Sequence, residues 1–452
     1  MNTSRRQFAG NLIAGVLPLA AAVVKPRVEV EEQVYEFTPA DNGAGPLWDY
    51  GAPGLVRQKG TVIAAGLDTL PNVKPLHNCR WALHRRGGSG WHRLLADEKD
   101  RQREPCPIAL FEDGRLFLST NPTLTPPNTY SGPADPQILA FSTKDFKTAP
   151  TVLRPTWSGK PRLSEHTYRG FAADARAGEL LVLHNNGSGA PEAYWAFLDR
   201  SGAWRNQGIV RYPIRGCYPQ VALRNGAAHI LAVGDIMEPI PEWRKWKFEK
   251  SGGRQWDYVF RRLFYVSNTQ VATEQFGDVL EVANVDETAG HITNLDLWLD
   301  REGAVHLLYL KRNIASAVMR DRFFPSIPLT SSLEHSIIRS NQVSGNQTLL
   351  AGSEGAGTVL PAYARFHATP KGRLFVFASS RIAAPASYEN RLIEILPNLT
   401  HSEGTKVDLR YPFTNFITAT ERGGSRPSDL LDVLGLCSGA PGTTIRYARV
   451  RL

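Results

Sequence analysis

The 452-residue chain carries a formal net charge of +9, with 21% of its residues charged. That basic surplus suits an acidic partner, but its Lys and Arg residues form no block-like runs, which argues against a nucleic-acid-binding arm. The four cysteines (Cys79, Cys106, Cys217 and Cys437) are too few and too scattered for a disulfide framework, although Cys79 and Cys106 could bridge neighbouring structural units.

In chain order, the first signal is Ser4-Arg5-Arg6-Gln7-Phe8, which matches the twin-arginine export pattern. An apolar run from Leu12 to Val24 follows, with Ala20-Ala21-Ala22 as a cleavage region. The run is too short and too rich in Ala and Gly for a membrane span of about 20 residues. No Cys lies near the cleavage region, so no stable membrane anchor is expected. Residues 1–24 are therefore read as an export signal and 25–452 as one domain, delivered to the periplasm or secreted.

Beyond the leader, one pattern recurs: an apolar strand, a polar turn containing Gly, and a second apolar strand, which together make a hairpin. It occurs at Pro107–Leu118, Glu165–His184, Gly216–Val233, Asn294–Tyr309 and Tyr363–Phe377. The turn glycines Gly114, Gly178, Gly226, Gly303 and Gly372 recur at intervals near or above the roughly 40–50 residues of a four-stranded propeller blade. An incomplete unit covers Leu55–Trp91, and another covers Phe413–Leu452. Gly (39) and Pro (31) punctuate the chain throughout, and long amphipathic helices are not evident. The expected fold is all-β, a seven-bladed β-propeller of four-stranded antiparallel blades, with an N-terminal strand closing the last blade; a pair of β-sandwiches is the alternative.

The segment Glu242-Trp243-Arg244-Lys245-Trp246-Lys247-Phe248 lies in the longest interval between turn glycines, as expected for a loop inserted into one blade. Trp243 and Trp246, interleaved with cations, could stack on sugar rings while binding sulfate or carboxylate. Packing as an amphipathic outer-strand edge is the plainer alternative. No Cys-x-x-Cys, His-Glu-x-x-His or calcium-loop pattern appears, so no metal or other cofactor is expected.

Candidate chemistry resides at His166, His184 and Tyr218, each at a matching edge of the repeated hairpin. If neighbouring hairpins surround an axis, two imidazoles and a phenol could form a proton-transfer set. Such a set suits β-elimination on a uronate, where a weakly acidic C5 proton is removed and the leaving oxygen is protonated. Histidine fits proton removal near neutral pH. Tyrosine fits as the donor, or as a base if nearby cations lower its pKa.

These residues resemble BNR-type seven-bladed propellers, and more particularly the ulvan lyase-like polysaccharide lyases. Glu165-His166, His184 and Tyr218-Pro219 stand where those lyases carry their catalytic histidines and tyrosine. The resemblance thus implies β-elimination on an acidic, uronate-containing and possibly sulfated polysaccharide. It also implies an Arg that neutralises the substrate carboxylate, at a position occupied here by Gly234. Arg169, Arg215, Lys311 and Arg312 are the candidate replacements, Arg169 first because it follows His166 by three residues at the same blade entrance. Two alternatives stand beside the lyase. A non-catalytic glycan-binding propeller is favoured by the missing Arg. A sialidase-like hydrolase has only the degenerate Asp-box turn Asp199-Arg200-Ser201-Gly202-Ala203-Trp204 in its support, and no Arg-Ile-Pro signature.

Overall fold

The computed structural model describes residues 24–452 except 49, 50, 75, 167, 254–257, 356, 384 and 385, so the expected twin-arginine segment lies outside the described residues. Seven antiparallel sheets form the blades, each entered by an innermost strand: Leu55–Gln58, Ile108–Leu110, Arg169–Asp174, Gly216–Arg224, His291–Leu299, Val359–Ala368 and Phe413–Thr418. The N-terminal strand Arg27–Glu36 is the outermost strand of blade 7 and pairs with Thr444–Arg451, which closes the ring by joining the two ends of the chain. The seven-bladed expectation holds, including the incomplete units at Leu55–Trp91 and Phe413–Leu452.

Blades pack face to face, so their inner strands are buried on both sides and read as continuous apolar runs rather than as alternations. Leu180 to Leu183 are all essentially inaccessible, and Phe171 and Ala172 opposite them are equally buried. The core is accordingly a ring of inter-blade clusters, such as the one shared by Leu181, Trp195 and Val221 of blades 3 and 4. Gly170 sits at a close approach of those blades: a Cβ there would meet Val221 at 2.3 Å.

The five turn glycines close the hairpins between first and second strands, all with positive φ, for example 93° at Gly114 and 76° at Gly226. These turns share one face of the ring, here called lower. The upper face carries the starts of the innermost strands, the ends of the second strands and two insertions. One insertion contains helix α1 (Pro241–Lys250) and the other α2 (Ala317–Phe323). Neither described helix is long and apolar enough to cross a membrane. The expected inserted loop is thus a helix. Its side chains are fastened beneath it: Arg261 donates two hydrogen bonds to Glu238 (3.0 and 2.5 Å), and Lys247 of α1 reaches the same carboxylate at 2.8 Å. Burial pushes the Glu238 carboxyl up, but the bonds from Arg261 and Lys247 outweigh it and hold the group below its ordinary value. Cys79 and Cys106 are free, buried thiols, which corrects the suggested bridge; Cys106 Sγ instead faces the Gln102 amide at 2.7 Å.

Burial also strips several histidines of charge. It lowers His84 and His229 to about 4 and His335 to about 3, and it takes His184 well below its ordinary value. In the unfolded chain each would titrate near 6.5, so between the two values the unfolded state binds more protons than the folded one. The stability that these neutral imidazoles permit is present above the unfolded value and is lost as pH falls towards about 4. Melting temperature should therefore decline steadily as pH is lowered from about 7 to about 5. A flat profile over that interval would show that these rings take up protons in the fold as readily as in the unfolded chain.

Candidate functional site

The chain entering blade 3 carries His166 on a turn just before the innermost strand, then Tyr168 and Arg169. The chain entering blade 4 carries Arg215, Cys217 and Tyr218. Between Cys217 and Gln220 the pairing with the second strand slips, and Tyr218 takes a positive φ of 49°. A left-handed aromatic residue directly before a proline is strained. The bulge is held by Asn294, whose amide donates to the Tyr218 carbonyl at 2.6 Å. Its effect is to aim the Tyr218 ring at blade 3.

There the ring meets Tyr168 at 4.5 Å between centroids, and Tyr168 meets His166 at 4.9 Å. The two phenols share a hydrogen bond. Burial, reinforced for each by neighbouring ionisable groups, raises both far above the ordinary tyrosine value. Raised phenols stay neutral at ordinary pH, which favours a donor's part over that of a phenolate base. Trp48 and Phe260 flank Tyr218 at 5.7 and 6.1 Å.

His166 is the accessible member, with 32% of its side chain exposed. Its Nδ1 lies 3.1 Å from the buried Glu104 carboxylate and also contacts the Arg103 guanidinium. Arg215 lies over the Tyr168 ring at 5.1 Å and pairs with Asp235 at 3.3 Å. Burial raises the Asp235 carboxyl despite the opposing pull of Arg215 and His166. The upper face thus gathers an imidazole, a neutral phenol pair and two guanidinium groups.

Not every expected residue joins them. His184 is fully buried, edge-on to Trp157 at 5.3 Å and opposite Arg169 across the hairpin. Arg169 is 1% exposed, and its guanidinium donates to the carbonyls of Ser119 (2.9 Å) and Pro105 (2.5 Å). It fastens blade 3 to blade 2 and is not open to a substrate, contrary to its first rank as carboxylate holder. Arg215 is the sequence candidate that reaches the cluster. Lys311 and Arg312 end the second strand of blade 5 on the upper face, with Lys311 paired to Glu334 at 3.4 Å. Trp243 packs against Phe323 and Phe324 with Arg261 over its ring at 5.0 Å. Trp246 meets Phe323 beneath Lys250 and Arg322, so neither indole is a bare platform for a sugar. Arg103, Glu104 and Tyr168 were missed by sequence reasoning. Their signal is positional: Arg103 and Glu104 precede the innermost strand of blade 2 as His166 precedes that of blade 3.

A side chain at Gly234 would point away from this cluster. Its Cβ would meet Ile214 at 2.6 Å and Phe264 at 3.3 Å, so an arginine cannot be restored there without displacing packed side chains. Among the described residues no group of three or more His, Cys, Asp or Glu is placed to hold a metal ion.

No protein-family model matches the chain, and no curated protein does. Solved structures of similar shape include the polysaccharide lyase Uly1 (11% identity, 94% of this chain and 94% of that one, TM-score 0.49). They also include a Penicillium chrysogenum α-L-arabinanase complexed with arabinobiose (11%, 94% and 98%, TM-score 0.43). A Synechocystis apocarotenoid oxygenase is similar as well (11%, 90% and 86%, TM-score 0.44). Three chemistries on one architecture decide nothing about this chain's reaction, which has to be argued from its own residues.

Proposed function

We infer that the upper face acts on an acidic polysaccharide by β-elimination, with His166 as the base. The observation that carries this reading is the junction of His166 with a hydrogen-bonded, neutral Tyr168–Tyr218 pair beside Arg215 and Arg103. In the step proposed, His166 takes the C5 proton of a uronate. The electron pair forms the C4–C5 double bond, the C4–O bond breaks, and the leaving oxygen takes a proton from the phenol pair. Arg215 would hold the carboxylate, whose charge grows as the proton leaves. Positive charge on this face suits an anionic chain. Such a substrate would be met outside the cytoplasm, which accords with reading residues 1–24 as a twin-arginine signal.

Binding without turnover is the second reading, favoured by one observation: Tyr218 is 9% and Tyr168 4% exposed, so substrate contact rests mainly on His166. Incubation with uronate-rich and with sulfated algal polysaccharides distinguishes the two. Elimination leaves unsaturated, ultraviolet-absorbing ends. Saturated new ends would mean hydrolysis, and tight binding with no new ends would leave the glycan-binding reading.

A further inference from the structure

The axis of the propeller is closed by charge. Arg422, on the turn after the innermost strand of blade 7, donates to Asp296 of blade 5 at 2.6 Å and to the carbonyls of Gly51 and Val221. Below this plug a cavity of about 600 Å³ opens towards the lower face, lined by first-to-second-strand turns of blades 3 to 6 and by residues 419–427. The upper cluster lies on the other side of the plug. Nothing in the reaction proposed above uses this cavity.

Its charges are unevenly satisfied. Asp174 accepts hydrogen bonds from three backbone amides, at Arg176, Ala177 and Asn225. Asp300 accepts from Ala304 and faces His306, Asp296 holds Arg422, and Glu112 holds Arg426. The lining cations differ. Arg224 and Arg301 donate to backbone carbonyls, of Leu299 (2.9 Å) and Pro370 (2.8 Å), and Glu421 is near enough for their charge to act on it without an ion pair. Among the described residues neither these two nor Arg176 and Lys371 form an ion pair. Arg422 lines the roof with a side chain only 7% exposed, and its Nε has no hydrogen-bond partner among the described residues. A buried N–H without an acceptor costs about 1–3 kcal/mol, so a site that supplies one is favoured. Trp298 adds an indole to the lining, its Nε1 donating to Glu421 at 2.6 Å. Burial raises the Glu421 carboxyl, while Arg224 and Arg301 act in the opposite sense.

We propose that this lower cavity is a second binding site, independent of the upper face, for a small organic anion. Its carboxylate, sulfate or phosphate lies among Arg224, Arg301 and Lys371, and its carbon skeleton lies against Trp298. The volume is that of an ordinary small-molecule pocket, roughly 300–1,000 Å³.

Isothermal titration of the full chain with glucuronate, inorganic sulfate and inorganic phosphate, each alone, with glucose as the neutral control, tests this site. Saturable binding of at least one anion but not of glucose is expected, and the arm that binds identifies the acidic group. Arg301 and Lys371 are exposed, so R301Q/K371Q should fold normally, as circular dichroism would report, yet bind about tenfold more weakly or worse. H166A should bind the anion as the parent does, which separates this site from the upper one. Equal affinity in R301Q/K371Q, or no saturable binding of any of the three anions at about millimolar concentration, would overturn the proposal.

Discussion

Replacing Arg169 by alanine should cost the protein a large part of its stability, whatever it does to activity. The guanidinium is buried between blades 2 and 3 and donates to the carbonyls of Ser119 and Pro105. Removing it leaves two buried acceptors without that donor, at about 1–3 kcal/mol each, beside a void that the close-packed blades cannot fully collapse. The sum is on the order of 3–5 kcal/mol, against a net folding stability of roughly 5–15 kcal/mol for an ordinary domain. Arg169→Met, which keeps most of the volume, should lose less. Thermal melts of the two variants beside the parent test this directly. A melting temperature for Arg169→Ala close to the parent's would show that the inter-blade bonds contribute little. Loss of activity in Arg169→Ala would then need a different explanation from loss of fold.

Arg169 also shows why the sequence is read more readily for architecture than for site. The blades are legible because every hairpin turn needs a residue with positive φ, and Gly114, Gly178, Gly226, Gly303 and Gly372 announce them. A strand's beginning is legible in the same way, but which way its first side chains point is not. Arg169 pairs with His184 across the hairpin, and that register buries both at the seam with blade 2. Tyr218 reaches the opposite seam only because a bulge breaks the alternation, and that bulge is fixed by Asn294 from another blade. Contacts brought in from distant sequence, such as Glu104 on His166, leave no local pattern to find. Helix α1 is different, for its signals were present: Pro241 at the first position, Glu242 in the first turn, and Lys247 and Lys250 in the last. Its aromatic and cationic interleaving suits a sugar-stacking loop or an amphipathic outer-strand edge, and the segment is neither. The spacing of Trp243, Trp246 and Lys247 is instead that of one helical face turned to the protein.

The upper cluster should respond to substitution in a pattern that only chemistry explains. His166→Ala is expected to lower turnover of a uronate polysaccharide on the order of 100-fold or more, the usual cost of losing a positioned base. Its melting temperature should stay near the parent's, since a third of the side chain is already in solvent. Tyr218→Phe keeps the ring against Tyr168, Trp48 and Phe260 and removes only the hydroxyl, so a comparable loss there would assign the hydroxyl a part in the reaction. Because the two phenols share one hydrogen bond, Tyr168→Phe combined with Tyr218→Phe should cost little more than the worse single variant. Both phenols are held neutral, so turnover should show no rise towards alkaline pH of the kind that a tyrosinate base would give. If both phenylalanine variants turn over normally, the proton for the leaving oxygen comes from elsewhere, and the tyrosine pair is packing. If the parent binds the polysaccharide without producing unsaturated ends, and His166→Ala weakens that binding, the upper face is a glycan-binding surface and His166 one of its contacts.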